Sequence, residues 1–446
     1  MGKDKTQSGI HNRNSFRTIC FGFMILILSG ALLLMLPISS RDRSVTPFVD
    51  TLFTAISASC VTGLVVRDTA THWSLFGQMI ILTLIQIGGM GVITIGLTIT
   101  RLSGKKVGLW FRGMMQDSIS APQVGGILSL TKFILKMTAI IELTGAALLY
   151  PAFCREFGAV KAIWYSIFHS VSAFCNAGFD LMGVREQFSS LTTFGADAYV
   201  NVVIMLLIII GGIGFLTWDD VVRYKLHFKQ YRLQTKVVIV TSCVLIILPA
   251  IFFFFAEYDD EPLKERVLHS LFQSVTARTA GFNTSDYSKM SEHAAMVMTV
   301  LMLIGGCSGS TAGGMKTSTV AVLFFSALSV FRRKNDVECF KKRIPEDTIR
   351  TAGAILFMYF TVFLSTGIAI SMIESLPLMS CLFETGSALG TAGLTLGITT
   401  SLSLASHIIL MILMFAGRVG GLTLIYAAFS SGGGISRFPQ EKITVG

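Results

Sequence analysis

Four times along this chain an apolar run of helix length is followed by a shorter amphipathic stretch, a small-residue tip ending in glycine, and a second apolar run. The tips read Cys60-Val61-Thr62-Gly63-Leu64, Cys175-Asn176-Ala177-Gly178-Phe179, Arg278-Thr279-Ala280-Gly281-Phe282 and Gly390-Thr391-Ala392-Gly393-Leu394. A unit recurring about every hundred residues is an internal repeat, and the repeat sets the architecture before any local reading begins. Before each glycine stands a Phe preceded by Leu or Ile, at Leu52-Phe53, Ile167-Phe168, Leu271-Phe272 and Leu382-Phe383, followed by Ser, Thr and Ala. Ten helical residues from the aromatic to the tip cover about 15 Å, roughly half a bilayer. These stretches are expected to be half-helices.

Composition names the solvent. With 52% hydrophobic and only 14% charged residues, the chain is no ordinary soluble domain. Eight runs reach the length needed to cross about 30 Å of hydrocarbon: about 18–37, 74–100, 130–150, 198–217, 236–256, 293–331, 350–373 and 402–429. The fold expected is an all-α polytopic membrane protein of four tandem helix–pore-loop–helix repeats around one pore, in a potassium-channel-like pseudo-fourfold arrangement. The units are 18–100, 130–217, 236–331 and 350–429, between an N-terminal segment 1–17 and a tail 430–446. The first run is too long for a signal peptide and lacks a small-x-small cleavage site, so it is read as an uncleaved span.

Lys and Arg cluster at the N-terminus (Lys3, Lys5, Arg13, Arg17), in 101–136 (Arg101, Lys105, Lys106, Arg112, Lys132, Lys136), in 223–236 and in 332–350. All four clusters share one side if the spans alternate, which places both termini in the cytoplasm. The net charge of +10 is therefore a topology signal, and a nucleic-acid partner is not expected. The eight cysteines lack metal or redox spacing. No cluster of His, Cys, Asp or Glu within the spans suggests an enzyme.

Non-helical backbone at membrane depth survives only where protein buries it or water reaches it. Four glycines at matching places, each ending a half-helix, fit main-chain carbonyls turned toward a shared axis to replace the water shell of a cation. Further glycine clusters lie in the second span of each unit: Gly88-Gly89-Met90-Gly91, Gly211-Gly212-Ile213-Gly214, Gly305-Gly306 and Gly417-Arg418-Val419-Gly420. In the first two units they are read as close helix packing. Only the sixth span is read as broken, across Gly305, Gly306, Gly309, Ser310, Thr311, Gly313, Gly314 and Lys316. This segment imitates a phosphate-binding loop, but Met315 separates Gly314 from Lys316 and no strand precedes it. The preferred reading is a flexible loop beneath the tips that obstructs the path until it is pulled aside.

Arg418 is an intramembrane cation, expected either to raise a barrier on a cation path or to pair with Glu142 or Glu384. Glu142 and Glu384 are read as helix-tying, His169 and His269 as structural donors, and Asp219 with Asp220 as solvated rim residues.

These residues make the chain similar to the membrane subunit of the Trk/Ktr/HKT superfamily of potassium transporters, nearest the bacterial Ktr type, over about residues 18 to 430. The resemblance implies a selectivity filter at Gly63, Gly178, Gly281 and Gly393, with K⁺ held by carbonyls of Val61-Thr62, Asn176-Ala177, Thr279-Ala280 and Thr391-Ala392. It implies K⁺ preference, since the first tip carries Gly63 where sodium-preferring plant relatives carry serine. It also implies a bacterial plasma-membrane protein, a homodimer with one pore per protomer, and a separate cytosolic ring of nucleotide-binding regulatory subunits. An arginine at Arg418 narrows the route below the filter in that family. The alternative is a sodium-coupled or sodium-permeable symporter, with Na⁺ as an activator left open.

Overall fold

Each unit opens on a long helix: α1 (Gly2–Leu34), α4 (Ile127–Phe157), α8 (Leu233–Ala256) and α12 (Glu346–Glu374). The computed structural model describes residues 2–92 and 126–420 with the single positions 94, 96, 113 and 116, residues 2–16 as backbone only. The basic residues Lys3, Lys5, Arg13, Arg101, Lys105, Lys106 and Arg112 and the tail 430–446 therefore lie outside the described side chains. The four long helices are apolar enough to cross a membrane, and only 22% to 33% of each apolar window is buried. Phe21, Leu143, Leu248 and Phe357 point outward from them. Lipid tails are as apolar as these side chains, so such exposure costs nothing in a bilayer.

The half-helices lie inside. They are α2 (Phe48–Ser59), α5 (Ala159–Phe174), α9 (Leu263–Thr276) and α13 (Leu378–Gly390), of 12, 16, 14 and 13 residues. They exceed the expected ten because the Ser/Thr/Ala stretches stay helical. Protein surrounds those hydroxyls, and several bond neighbouring main chain, as Ser274 Oγ does to Ile246 O at 2.6 Å and Ser170 Oγ to Glu142 O at 2.6 Å. Pro47, Pro262 and Pro377 start three of the half-helices in extended conformation, where the missing N–H is no loss. Phe53, Phe168, Phe272 and Phe383 are all fully buried.

The return helices are α3 (Leu75–Met90), α6 (Ala198–Gly212), α10 (Glu292–Leu303) and α14 (Leu404–Val419). Ser74, Asp197 and Ser291 cap the first three with side-chain oxygens. Here the sequence expectation needs correction, because the break is not confined to the sixth span. Helix α3 stops before Gly91 (φ +85), α6 before Gly214 (φ +94) and α14 before Gly420 (φ +89). The segment after the second break, α7 (Phe215–Tyr224), is bent 99° from α6. Among the described residues, only the third unit has a long loop at this place, before α11 (Thr317–Phe331). A short hairpin, β1 (Glu338–Cys339) with β2 (Lys342–Arg343), leads into α12.

Asp220 is a second correction. It is fully buried, where its carboxylate accepts from Arg232 N at 3.0 Å and Thr235 Oγ1 at 2.7 Å and faces the Arg232 guanidinium at 3.4 Å. Asp219 pairs with Arg232 and Arg223. The pair ties α7 to the start of α8.

Candidate functional site: a glycine ring and the loop beneath it

The four tip glycines meet. A Cβ on Gly63 would lie 2.6 Å from Ala177 O, one on Gly178 2.7 Å from Gly281 Cα, one on Gly281 2.9 Å from Ala392 O, and one on Gly393 2.0 Å from Thr62 O. Contacts therefore run from unit one to two, two to three, three to four and four back to one. The ring is narrow: the same Cβ on Gly281 would come within 3.4 Å of Thr62 O in the opposite unit. All four glycines have positive φ, at +99, +70, +79 and +78.

A second feature recurs in every unit and was not read from the sequence. The residue two before each glycine, Val61, Asn176, Thr279 or Thr391, also has positive φ, between +52 and +64. Left-handed backbone is costly for β-branched residues. Left-handed residues flanking Thr62, Ala177, Ala280 and Ala392 turn successive carbonyls away from the strand-like alternation of faces. Meanwhile the N–H groups fold back onto the half-helices: Thr62 N donates to Ser57 O at 2.8 Å, Ala177 N to Ser172 O at 2.8 Å, Ala280 N to Thr276 O at 3.0 Å and Ala392 N to Ser387 O at 2.7 Å. The N–H groups of the tips are thus taken up by their own half-helices.

On the post-glycine side lies a cavity of about 140 Å³. The four glycines form its floor, and Asp68, Asp180, Ser190, Asn283, Thr395 and Thr399 stand among its walls.

On the other side lies the loop between α10 and α11, and it is an ordered part of the structure. Its N–H groups at Cys307, Thr311 and Gly314 donate to Gly212 O (3.0 Å), Gly211 O (3.4 Å) and Gly417 O (3.2 Å). Gly305 N donates to Met315 O at 2.8 Å, closing the loop at its base. Lys316 Nζ donates back to Ala312 O at 2.8 Å and Gly313 O at 3.3 Å. Ser310 Oγ accepts from Ala312 N at 3.3 Å. A Cβ on Gly313 would lie 2.1 Å from Thr391 Oγ1, one on Gly306 2.3 Å from Ala312 Cβ, and one on Gly314 2.8 Å from Gly390 O. Gly309 takes positive φ at +68 and its carbonyl accepts from Phe215 N at 2.7 Å.

Arg418 makes no carboxylate pair among the described residues, which corrects that expectation. Its guanidinium donates to Thr311 O in the loop and to Gly88 O and, at 3.0 Å, Gly89 O at the end of α3. Glu142 instead accepts from Gln86 Nε2 at 3.1 Å, tying α4 to α3, and Glu384 accepts from Thr395 and Thr399 on the cavity side. His169 Nδ1 bonds Tyr165 O at 2.7 Å and Nε2 accepts from Leu181 N at 3.3 Å; His269 Nδ1 bonds Glu261 at 2.7 Å.

The helix breaks now acquire a reason beyond packing. A helix end frees carbonyls that need donors, and the acceptors freed at Gly88, Gly89, Gly211, Gly212 and Gly417 are those taken by Arg418 and the loop. The small residues also pack: a Cβ on Gly88, Gly211 or Gly417 would lie 2.0, 1.9 or 2.1 Å from the carbonyl of Ser59, Phe174 or Leu389. The sequence reading overlooked Arg278, which is 8% exposed and donates to Thr317 Oγ1 (3.2 Å) and Cys307 Sγ (3.8 Å) at the two roots of the loop. A lone arginine among small apolar residues was its signal, by the reasoning already applied to Arg418.

A family model described as "Cation transport protein", TrkH, matches residues 3–432. The chain is 38% identical over 441 residues to the potassium/sodium uptake protein NtpJ of Enterococcus hirae, covering 96% of each. It is 36% identical over 437 residues to the Ktr system potassium uptake protein B of Bacillus subtilis, again covering 96% of each. Its fold matches the crystal structure of the potassium transporter TrkH from Vibrio parahaemolyticus with a TM-score of 0.74 at 18% identity, over 94% of this chain and 85% of that one.

Proposed function

Because this chain belongs to the TrkH family of cation transport proteins, a family of multi-pass membrane transporters and not of enzymes, we propose that it passes potassium ions across the bacterial plasma membrane through the glycine ring. The single observation that carries this reading is the closed ring itself: four backbones of alternating hand, their donors folded back onto the half-helices, converge beside a cavity. A dehydrated cation needs oxygen ligands, and carbonyl rings supply them. The C-terminal ends of the four half-helices face the same place and add negative partial charge.

The loop from Gly305 to Lys316 is the proposed gate, with Arg418 its latch. Its hydrogen bonds to two return-helix ends, and the Arg418 bridge from it to a third, support a closed position that release of those bonds would open. We further propose both termini in the cytoplasm, one pore per protomer of a homodimer, and a separate cytosolic regulatory subunit. The ring closes within one chain, which supports one pore per protomer; the name Ktr system, borne by the Bacillus relative, supports a second component. Sodium permeation is the second reading, favoured by the likeness to a potassium/sodium uptake protein.

The test is uptake of rubidium and sodium tracers into liposomes holding the full-length chain. Rubidium uptake that sodium competes for only weakly is expected. Equal uptake of both ions would favour the second reading, and no uptake by either the wild type or a chain lacking 309–314 would refute the transport role of the ring.

A further inference from the structure

We infer that Asp180 makes the cavity beside the glycine ring a waiting site, where one hydrated monovalent cation is held against its carboxylate and the Asn283 amide oxygen before entering the ring. This rests on the reading of the ring as the ion path.

The residues two past the tip glycines are Val65, Asp180, Asn283 and Thr395, and all four stand in the walls of the cavity of about 140 Å³. The repeat that builds the ring therefore sets a second collar of four side chains upon it. Only the second unit places a charge in that collar.

Hydrogen bonds decide which oxygens a cation meets there. Thr395 donates to Glu384 and accepts from Gly397 N at 2.9 Å, so its hydroxyl is engaged. Asp68, the other acid of the wall, is engaged at both oxygens. Its Oδ1 accepts from Ala70 N at 3.0 Å and from Thr71 N and Oγ1 at 2.8 Å, and its Oδ2 from Phe188 N at 3.0 Å. Asp180 Oδ1 accepts from Met182 N at 2.8 Å, and its Oδ2 has no donor among the described residues. Asn283 Nδ2 donates to Ser285 O at 3.1 Å, which leaves its Oδ1 open in the neighbouring unit.

Charge points the same way. Among the described residues no Lys, Arg or His lines the cavity, whereas Asp50 of the first unit is paired with Arg67 and Glu156 of the second with Arg185. A half-buried carboxylate without a countercharge is costly, and a diffusible cation relieves that cost. One free carboxylate oxygen and one amide oxygen replace part of a water shell and not the whole, so the ion keeps several waters, for which the cavity has room. Such a site releases its ion readily to the ring. It draws rubidium and sodium alike, and sorting is left to the carbonyls.

The experiment measures rubidium and sodium uptake against ion concentration in liposomes holding the full-length wild type, Asp180→Asn, Asp180→Glu, or Asp180→Asn combined with Val65→Asp. Asparagine keeps the acceptor for Met182 N and removes the charge alone. At low ionic strength Asp180→Asn is expected to raise the half-saturating concentration of both ions about tenfold, with maximal rate, melting temperature and rubidium-to-sodium ratio kept. The difference should shrink in choline chloride, which screens the field. Asp180→Glu should keep most of the wild-type value. Val65→Asp returns a carboxylate to the collar from the first unit and should restore half-saturation, which a merely structural role of Asp180 would not allow; if that double variant does not assemble, Asp180→Glu and the choline dependence carry the test. A half-saturation that Asp180→Asn leaves unmoved, or raises for one ion only, overturns the inference. Absence of uptake by the wild type and every variant would instead overturn the underlying transport reading.

Discussion

The ring and the loop are both glycine-rich, non-helical backbone enclosed by helices, yet they are held in opposite ways. In the ring the tip N–H groups donate to carbonyls of their own half-helices, as Thr62 to Ser57 and Ala392 to Ser387. Those bonds are local, and they persist as long as the half-helix does. The loop draws most of its main-chain bonds from other units, with Gly211, Gly212 and Phe215 of the second and Gly417 of the fourth, and Arg418 of the fourth adds its guanidinium. Bonds of that kind are lost together when one segment shifts. Local satisfaction makes a fixed feature, and borrowed satisfaction makes a releasable one.

That contrast can be broken by experiment. The largest effect is expected from Gly393→Ser, whose Cβ would fall 2.0 Å from Thr62 O at φ +78. Rubidium-over-sodium discrimination should drop about a hundredfold, equivalent to roughly 2–3 kcal/mol, whereas Gly397→Ala, also at positive φ but with nothing near its Cβ, should leave it intact. Equal behaviour of the two would remove the ring from the ion path. Next, deleting 309–314 should raise flux at least about tenfold without any partner protein; a folded but silent deletion would make the loop structural.

A smaller effect is expected for Arg418→Gln, which loses charged bonds to three carbonyls. Flux should rise several-fold, to less than the deletion allows, because the loop keeps its backbone bonds to Gly211, Gly212 and Gly417. The smallest change belongs to Glu142→Ala, which severs the link to Gln86. It should cost about 1–2 kcal/mol of stability, seen as a lower melting temperature with an unchanged ion ratio. A changed ratio there would mean that ion choice is not confined to the ring.

Much of this was readable from the chain because the repeat multiplies weak signals. One tip glycine says little, and four at matching places behind four Phe residues say where backbones converge. The left-handed Val61, Thr279 and Thr391 could not be read, since β-branched residues argue against positive φ and only the surrounding ring enforces it. Nor could the breaks at Gly91, Gly214 and Gly420, because a glycine cluster that packs and one that ends a helix look alike in sequence.

The amino-acid order alone determined the bilayer as solvent, the four units, their glycine tips and the irregular segment in the third. These follow from hydrophobic length, periodicity and residues that tolerate unusual backbone. Tertiary structure alone decided which acceptors Arg278, Lys316 and Arg418 hold, that Arg418 reaches the loop and α3 where Glu142 and Glu384 were its expected partners, and that the loop leans on the tips. Partner choice across units depends on distances between segments hundreds of residues apart, and no local preference encodes them.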